Sequence, residues 1–254
     1  MQARMHKSWL AITILVMAMG TGVSAVTIDT PETWNSGTTE GWSGTDFWLN
    51  PYPVSNPGNC IEIAFNDRST SVPGIAFVRA DASASGGRFA GNYRAAGAQR
   101  AIFSLNCKSC LPAVAKLYFF SSRGGRYWSY NLATPEAGRW YQFSVPLVYA
   151  AGWSCANDPS AANFEYDLES VDWIGVLIEQ NQTSPQAYDI DDFALATSAY
   201  DSDGDGMSDA AEERAGTNPF DPTSVFRLTM AGTETGILIT WPSKAGISYD
   251  IWRT

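Results

Sequence analysis

Five carboxylates fall in register in the segment DSDGDGMSDAAE, residues 201–212: Asp201, Asp203, Asp205, Asp209 and Glu212. Oxygen ligands at this density suit a hard cation, which takes roughly six to eight of them at about 2.3–2.6 Å. The spacing is that of a twelve-residue calcium loop. Asp201, Asp203 and Asp205 occupy positions 1, 3 and 5, Gly206 position 6, the Met207 carbonyl position 7, Asp209 position 9 and Glu212 position 12. Gly206 permits the backbone angles of the sharp turn. A solvated acidic linker has a similar composition, but nothing in a linker would hold the carboxylates to this register. Ca2+ is therefore the expected ion.

Other chemistries are narrowed by what is missing. The only histidine is His6, and it lies in a leader-like stretch. There Arg4 and Lys7 precede the apolar run 9–19, and Val23-Ser24-Ala25 follows it. This reads as a signal peptide, residues 1–25, cleaved after Ala25. The run is too short to span a bilayer, for which about 20 residues are needed, and no later segment qualifies. The mature chain is thus expected to have no membrane span and to be secreted, periplasmic or on the cell surface. It also lacks an imidazole for serine-histidine or cysteine-histidine catalysis and for the common histidine-bearing zinc sites. Removing 2 of the 16 basic residues leaves 14 against 26 acidic ones, a net charge of −12. Nucleic acid, which needs a basic face, is not an expected partner.

Cys60, Cys107, Cys110 and Cys155 form an even set in an exported chain, which points to disulfides. Three pairings are open, and the CxxC of Cys107 and Cys110 also admits a redox pair or half of a zinc site, although no βαβ pattern surrounds it.

The elements that must carry these groups are short and β-rich. Alternation and turn residues predict strands at 46–49, 60–65, 75–79, 99–105, 113–120, 126–130, 140–145, 171–179 and 187–195. Ile61, Ile63 and Phe65 share one face, as expected of a sheet packed on one side. No run of convincing helical length occurs before residue 197. The fold class is all-β, a two-sheet sandwich over residues 26–197. A spacer at 198–224 holds the calcium loop and a brief helix, 208–215, that Gly216 would end in the left-handed conformation. Three further strands, 226–230, 237–241 and 248–252, fill residues 225–254.

Aromatic residues make up 13% of the chain and offer flat faces for a sugar ring. Trp48, Tyr52, Tyr93, Tyr127, Trp128, Tyr130, Trp140 and Trp153 lie nearest turns or polar neighbours. Tyr127-Trp128-Ser129-Tyr130 is the densest group, and alternation places Trp128 and Tyr130 on one face with Tyr127 on the other. A large aromatic in a sandwich more often fills the core.

Three resemblances attach to these residues. DSDGDGMSDAAEERAGTNPFDPTS, residues 201–224, resembles the thrombospondin type 3 style repeat of exported bacterial proteins, which implies calcium held by the aspartates named above. It departs from that pattern in being a single copy, which leaves Asp221 without a neighbouring repeat. Glu40-Gly41-Trp42, Val171-Asp172-Trp173-Ile174-Gly175-Val176 and Tyr188-Asp189-Ile190-Asp191-Asp192-Phe193 are similar to elements of jelly-roll carbohydrate-binding modules. This implies a jelly-roll sandwich that binds polysaccharide or cell-surface glycan without catalysis, and a second calcium at Asp191 or Asp192. Exposed strand-edge carboxylates that discourage pairing are the alternative reading of those two. LITWPSKAGISYDIWRT is similar to part of a fibronectin type III-like sandwich. Thirty residues bury too little surface to form such a domain alone, so the tail is expected to be part of a domain that the chain does not complete.

A rival comes from Glu165-Tyr166-Asp167-Leu168-Glu169, which matches the ExDxE of laminarinase-like glycosidases. On a strand the three carboxylates would share a face, with Glu165 as nucleophile, Asp167 as its tuner and Glu169 as acid/base of a retaining mechanism. The preceding 156–160 is turn-rich, which favours instead a solvated loop leading into the 171–179 strand.

Overall fold

A computed structural model describes residues 25–46, 50–65, 74–133 and 136–250. The leader at 1–24, Trp48 and the end of the last expected strand lie outside the described residues. The elements are β1 (Ser43–Thr45), β2 (Pro51–Tyr52), β3 (Val54–Ser55), β4 (Ile61–Phe65), β5 (Ile75–Asp81), α1 (Tyr93–Ala96), β6 (Arg100–Cys107), β7 (Val114–Ser121), β8 (Arg126–Asn131), β9 (Trp140–Pro146), α2 (Ala161–Leu168), β10 (Trp173–Glu179), β11 (Gln186–Ala196), α3 (Asp209–Ala215), β12 (Thr229–Thr233) and β13 (Gly236–Thr240).

Two antiparallel sheets face one another. One runs β2-β1-β5-β10-β7-β8, the other β3-β4-β11-β6-β9. The two late strands enter the middles of the sheets, β10 between β5 and β7 and β11 between β4 and β6. This late insertion makes the sandwich a jelly roll rather than a meander.

Alternation explains what each face carries. Ile61, Ile63 and Phe65 of β4 point inward and are buried, as do Val78 of β5, Phe103 and Leu105 of β6, Phe119 of β7 and Val176 of β10. Between the sheets Trp42 meets Trp34, Phe89 and Phe193 with ring centroids 5.0–5.4 Å apart. The other face of the six-stranded sheet has its own apolar patch, Phe77, Trp173 and Leu177, flanked by Tyr118 and Phe120. Gly175 sits within this patch, where a Cβ would lie 2.3 Å from the Val78 carbonyl oxygen. The Arg79 guanidinium lies over the Trp173 ring, 5.4 Å from its centroid.

Two helices occur where no helix was expected. Asn92 caps α1 by accepting from Ala95 N at 2.8 Å, and Gly97 ends it in the left-handed conformation. Ser160 caps α2 by accepting from Asn163 N. Phe164 and Leu168, one turn apart, are buried, and the Phe164 ring lies 5.1 Å from Trp128 and 5.5 Å from Trp153. Packing against distant aromatics stabilises this eight-residue helix, which is too short to persist alone.

No pair of the four cysteines is bridged, and all are free thiols in this structure. Cys60 precedes β4 and Cys107 ends β6, with β11 hydrogen-bonded between these strands. Two strand spacings are about 9.6 Å, beyond the ~4.4–6.8 Å a bridge tolerates between Cα atoms. Burial raises both thiols to about 11, which keeps them protonated and unreactive. Cys155 stands elsewhere, near Arg126.

After α3 the chain forms one hairpin, β12 with β13. Residues 248–250 are not in a strand. The hairpin is tied back through Tyr249, whose ring stacks on Phe226 and whose hydroxyl donates to the Ala215 carbonyl at 3.1 Å. The Lys244 ammonium donates to the Glu213 carbonyl at 2.8 Å, a favourable place for a cation near the end of a helix. Among the described residues no helix is long and apolar enough to cross a membrane.

Candidate metal centre and sandwich surfaces

The loop at 201–212 winds on its own carboxylates. Asp201 accepts from Gly204 N and Gly206 N through its two oxygens, at 2.8 and 2.9 Å. Asp203 accepts from Asp205 N and Asp205 from Met207 N, each through one oxygen. These bonds leave Asp203 Oδ2 and Asp205 Oδ2 buried and without a hydrogen-bond partner. Ligand atoms of Asp201, Asp203 and Asp205 lie within 4.8 Å of one another, the one such metal-capable group among the described residues.

Glu212 of α3 lies near this group without being one of the three that converge within 4.8 Å. Ser208 caps this helix, and Gly216 ends it at φ 84°, as the sequence predicts. Glu212 is fully buried, and neither carboxylate oxygen has a partner. Burial pushes its carboxyl up to about 7, and the charges of Asp203, Asp205 and Asp209 add to the rise. The Thr217 hydroxyl is near enough to oppose this slightly, but it lies outside hydrogen-bonding geometry. An uncompensated buried carboxylate of this kind is costly unless a cation neutralises it. The donor set, hard oxygens with no sulfur or imidazole, fits calcium.

Asp209 behaves differently from the other expected ligands. Its Oδ1 accepts from Ser202 N and its Oδ2 from Ser202 Oγ, both at 2.8 Å, so it closes the start of the loop onto the helix. Ser144 of β9 also reaches Asp209 Oδ2, at 3.5 Å. Beside it Arg100 of β6, almost fully buried, forms an ion pair with Glu213 and donates to Ser144 Oγ at 2.6 Å. Loop and helix are thus docked on the outer face of the β6–β9 pair. Arg100, Ser144 and Glu213 carried no motif in the sequence.

The aromatic candidates separate by face. Trp128 and Tyr130 do share one, but it is the inner one. Trp128 is fully buried and donates from Nε1 to Asp167 at 2.7 Å, so its ring offers no face to a ligand. Tyr130 is half-buried beside Trp153. Tyr127, on the outer face, is 44% exposed and packs on Phe120 with ring centroids 4.4 Å apart.

Residues 165–169 are neither a strand nor a solvated loop. Helical geometry turns successive residues by about 100°, so Asp167 points away from Glu165 and Glu169, which lie one turn apart on the exposed side. Glu165 pairs with Arg94 and Glu169 with Arg123. Asp167, fully buried, accepts from Arg126 Nε at 2.6 Å as well as from Trp128. The shared carboxylate face that the ExDxE reading requires is not formed.

Asp191 and Asp192 join no group of three metal-capable side chains among the described residues. They line instead a groove of about 290 Å³ with Ser104, Trp140 and Gln142. Burial pushes the Asp191 carboxyl up to about 6, with the charges of Asp192, Asp189 and Glu32 contributing.

No curated protein matches the chain. Among solved structures, the L4b domain of human laminin alpha-2 is similar at a TM-score of 0.46 and 10% identity, over 67% of this chain and 94% of that one. The family 11 carbohydrate-binding module of a cellulosomal cellulase of Clostridium thermocellum is similar at 0.44 and 14%, over 68% and 96%. An agarase is similar at 0.46 and 12%, over 68% and 26%. These are likenesses of fold, with no bearing on what this chain binds. Residues 201–222, which hold the converging carboxylates, match the family model of the bacterial TSP3 repeat, a calcium-binding type.

Proposed function

We propose that this is an extracellular calcium-binding protein whose β-sandwich binds a glycan without hydrolysing it. The observation that carries the calcium half is the set of buried, partnerless oxygens on Asp203, Asp205 and Glu212 beside Asp201. An ion there is held by Asp201, Asp203, Asp205, the Met207 carbonyl and Glu212, with Asp209 fixing the loop from behind. Extracellular calcium modules commonly bind at about 10⁻⁴–10⁻³ M, which suits an ion that keeps a spacer folded rather than one that signals. The spacer is taken as residues 198–224, between a sandwich at 26–197 and the β segment at 225–254. Through Asp209, Glu213 and Arg100 the ion's loop fixes how the sandwich is presented.

The glycan half rests on flat rings left open on the sandwich, Tyr127 at 44% and Trp140 at 45% exposure. Binding without hydrolysis is supported by the ion pairs that occupy Glu165, Asp167 and Glu169. The test is co-sedimentation of the full chain with insoluble polysaccharides in calcium, alongside assays for released reducing sugar. Retention without release is the expected result. Release abolished by Glu165→Gln would make the protein a hydrolase, and neither retention nor release would leave a structural or adhesive role.

A further inference from the structure

The outer face of the five-stranded sheet combines an exposed ring with a row of polar groups brought together from three strands. Pairing sets Asp191 of β11 opposite Ser104 of β6, and Ser104 opposite Gln142 of β9. One step along, Asn106 of β6 stands opposite Trp140, so Trp140 and Gln142 lie on the same face of β9, about 6.8 Å apart along the strand. Trp140 is 45% exposed beside these polar groups. An exposed indole face beside hydrogen-bonding side chains is suited to stacking on a ligand.

The backbone at the groove is irregular. Register passes from Asp191↔Ser104 to Ala194↔Ile102, one extra residue on β11, and Asp192 takes a positive φ of 53°. This β-bulge breaks strict alternation, so that Asp191 and Asp192, consecutive in sequence, both line the groove. A non-glycine residue held in the left-handed region is strained, and such strain collects at binding sites.

Resting on the glycan reading above, we propose that this groove is the sugar-binding subsite and that it takes a neutral pyranose unit. The ring stacks on Trp140. Its edge hydroxyls meet the Asp191 and Asp192 carboxylates as acceptors, with the Gln142 amide and the Ser104 hydroxyl alongside. Two carboxylates pair well with adjacent hydroxyls and repel a uronate or sulfate ester, so acidic polysaccharides are excluded by charge. The Tyr127 patch lacks this combination, because its neighbours Phe120 and Trp173 are apolar.

The test is affinity electrophoresis of the full chain, in calcium, through gels holding a neutral glucan, hydroxyethyl cellulose or barley β-glucan, or the acidic polymer alginate. The wild type should be retarded by a neutral glucan and not by alginate. Trp140→Ala should weaken the interaction about tenfold or more, Gln142→Ala should weaken it less, and Trp140→Phe should restore part of it. Gln142 is exposed, so its variant guards against a folding artefact. Retardation that survives Trp140→Ala and Gln142→Ala but is lost in Tyr127→Ala overturns the groove while leaving the glycan reading intact. Retardation by alginate alone overturns the neutral class, and no retardation by any polymer overturns the glycan reading and the groove with it.

Discussion

Segments 201–212 and 165–169 both crowd carboxylates into a few residues, and both match a functional pattern in sequence. The fold gives them opposite settings. Every carboxylate of the second segment has a guanidinium partner from another element, Arg94, Arg126 or Arg123. In the first, Asp203, Asp205 and Glu212 retain buried oxygens that no group among the described residues satisfies. Acidic density alone does not mark a site. A carboxylate neutralised within the chain holds the fold together, whereas buried carboxylates left converging without a cation have their missing partner in solution.

Substitutions break this contrast most strongly at Asp167. Asp167→Ala strands a largely buried Arg126 and removes the acceptor of Trp128 Nε1, with an expected loss of about 3–5 kcal/mol. The loss should be the same with calcium and with chelator, as denaturant unfolding would show. A loss confined to the calcium-bound protein would place Asp167 in the metal centre instead.

A second effect depends on pH. In the calcium-free fold Glu212 keeps its proton up to about 7, against an ordinary value of 4.5. A raised folded value contributes stability that is complete below the unfolded pKa and is lost as pH rises through the folded one. Calcium-free protein should therefore lose stability between about pH 4.5 and 7, where the ion would take the proton's place. The difference in Tm between calcium and chelator is expected to widen across that window. A constant difference would mean that Glu212 does not meet the ion.

The smallest effect belongs to Glu165→Gln, which breaks a half-exposed pair with Arg94 and should cost no more than about 1 kcal/mol. A larger loss in a denaturation curve would show that this pair is more than a surface contact.

Much of the sandwich was legible because a sheet with one buried face writes a period of two into its sequence. The expected 60–65 strand is Ile61–Phe65, and 126–130 is Arg126–Asn131. The acidic loop was legible because the carboxylates that it brings together are local in sequence. Features assembled from distant strands were not. Alternation put Trp128 and Tyr130 together, but only the second sheet and α2 decide that their face is covered. The punctuation of Asp158-Pro159-Ser160 read as a loop, whereas Ser160 caps a helix whose stability comes from Trp128 and Trp153. The groove joins Ser104, Gln142 and Asp191 through strand register, which no local window contains.

The central claim is that residues 201–212 bind calcium through oxygens the fold leaves unsatisfied. Calorimetric titration of the chelator-stripped full chain with calcium, beside Asp205→Ala, tests it most directly. One site should saturate in the wild type, with about 2.7 kcal/mol of added stability at a hundredfold excess over Kd, and both signals should vanish in Asp205→Ala. Equal titration and equal melting of the two proteins would contradict the account.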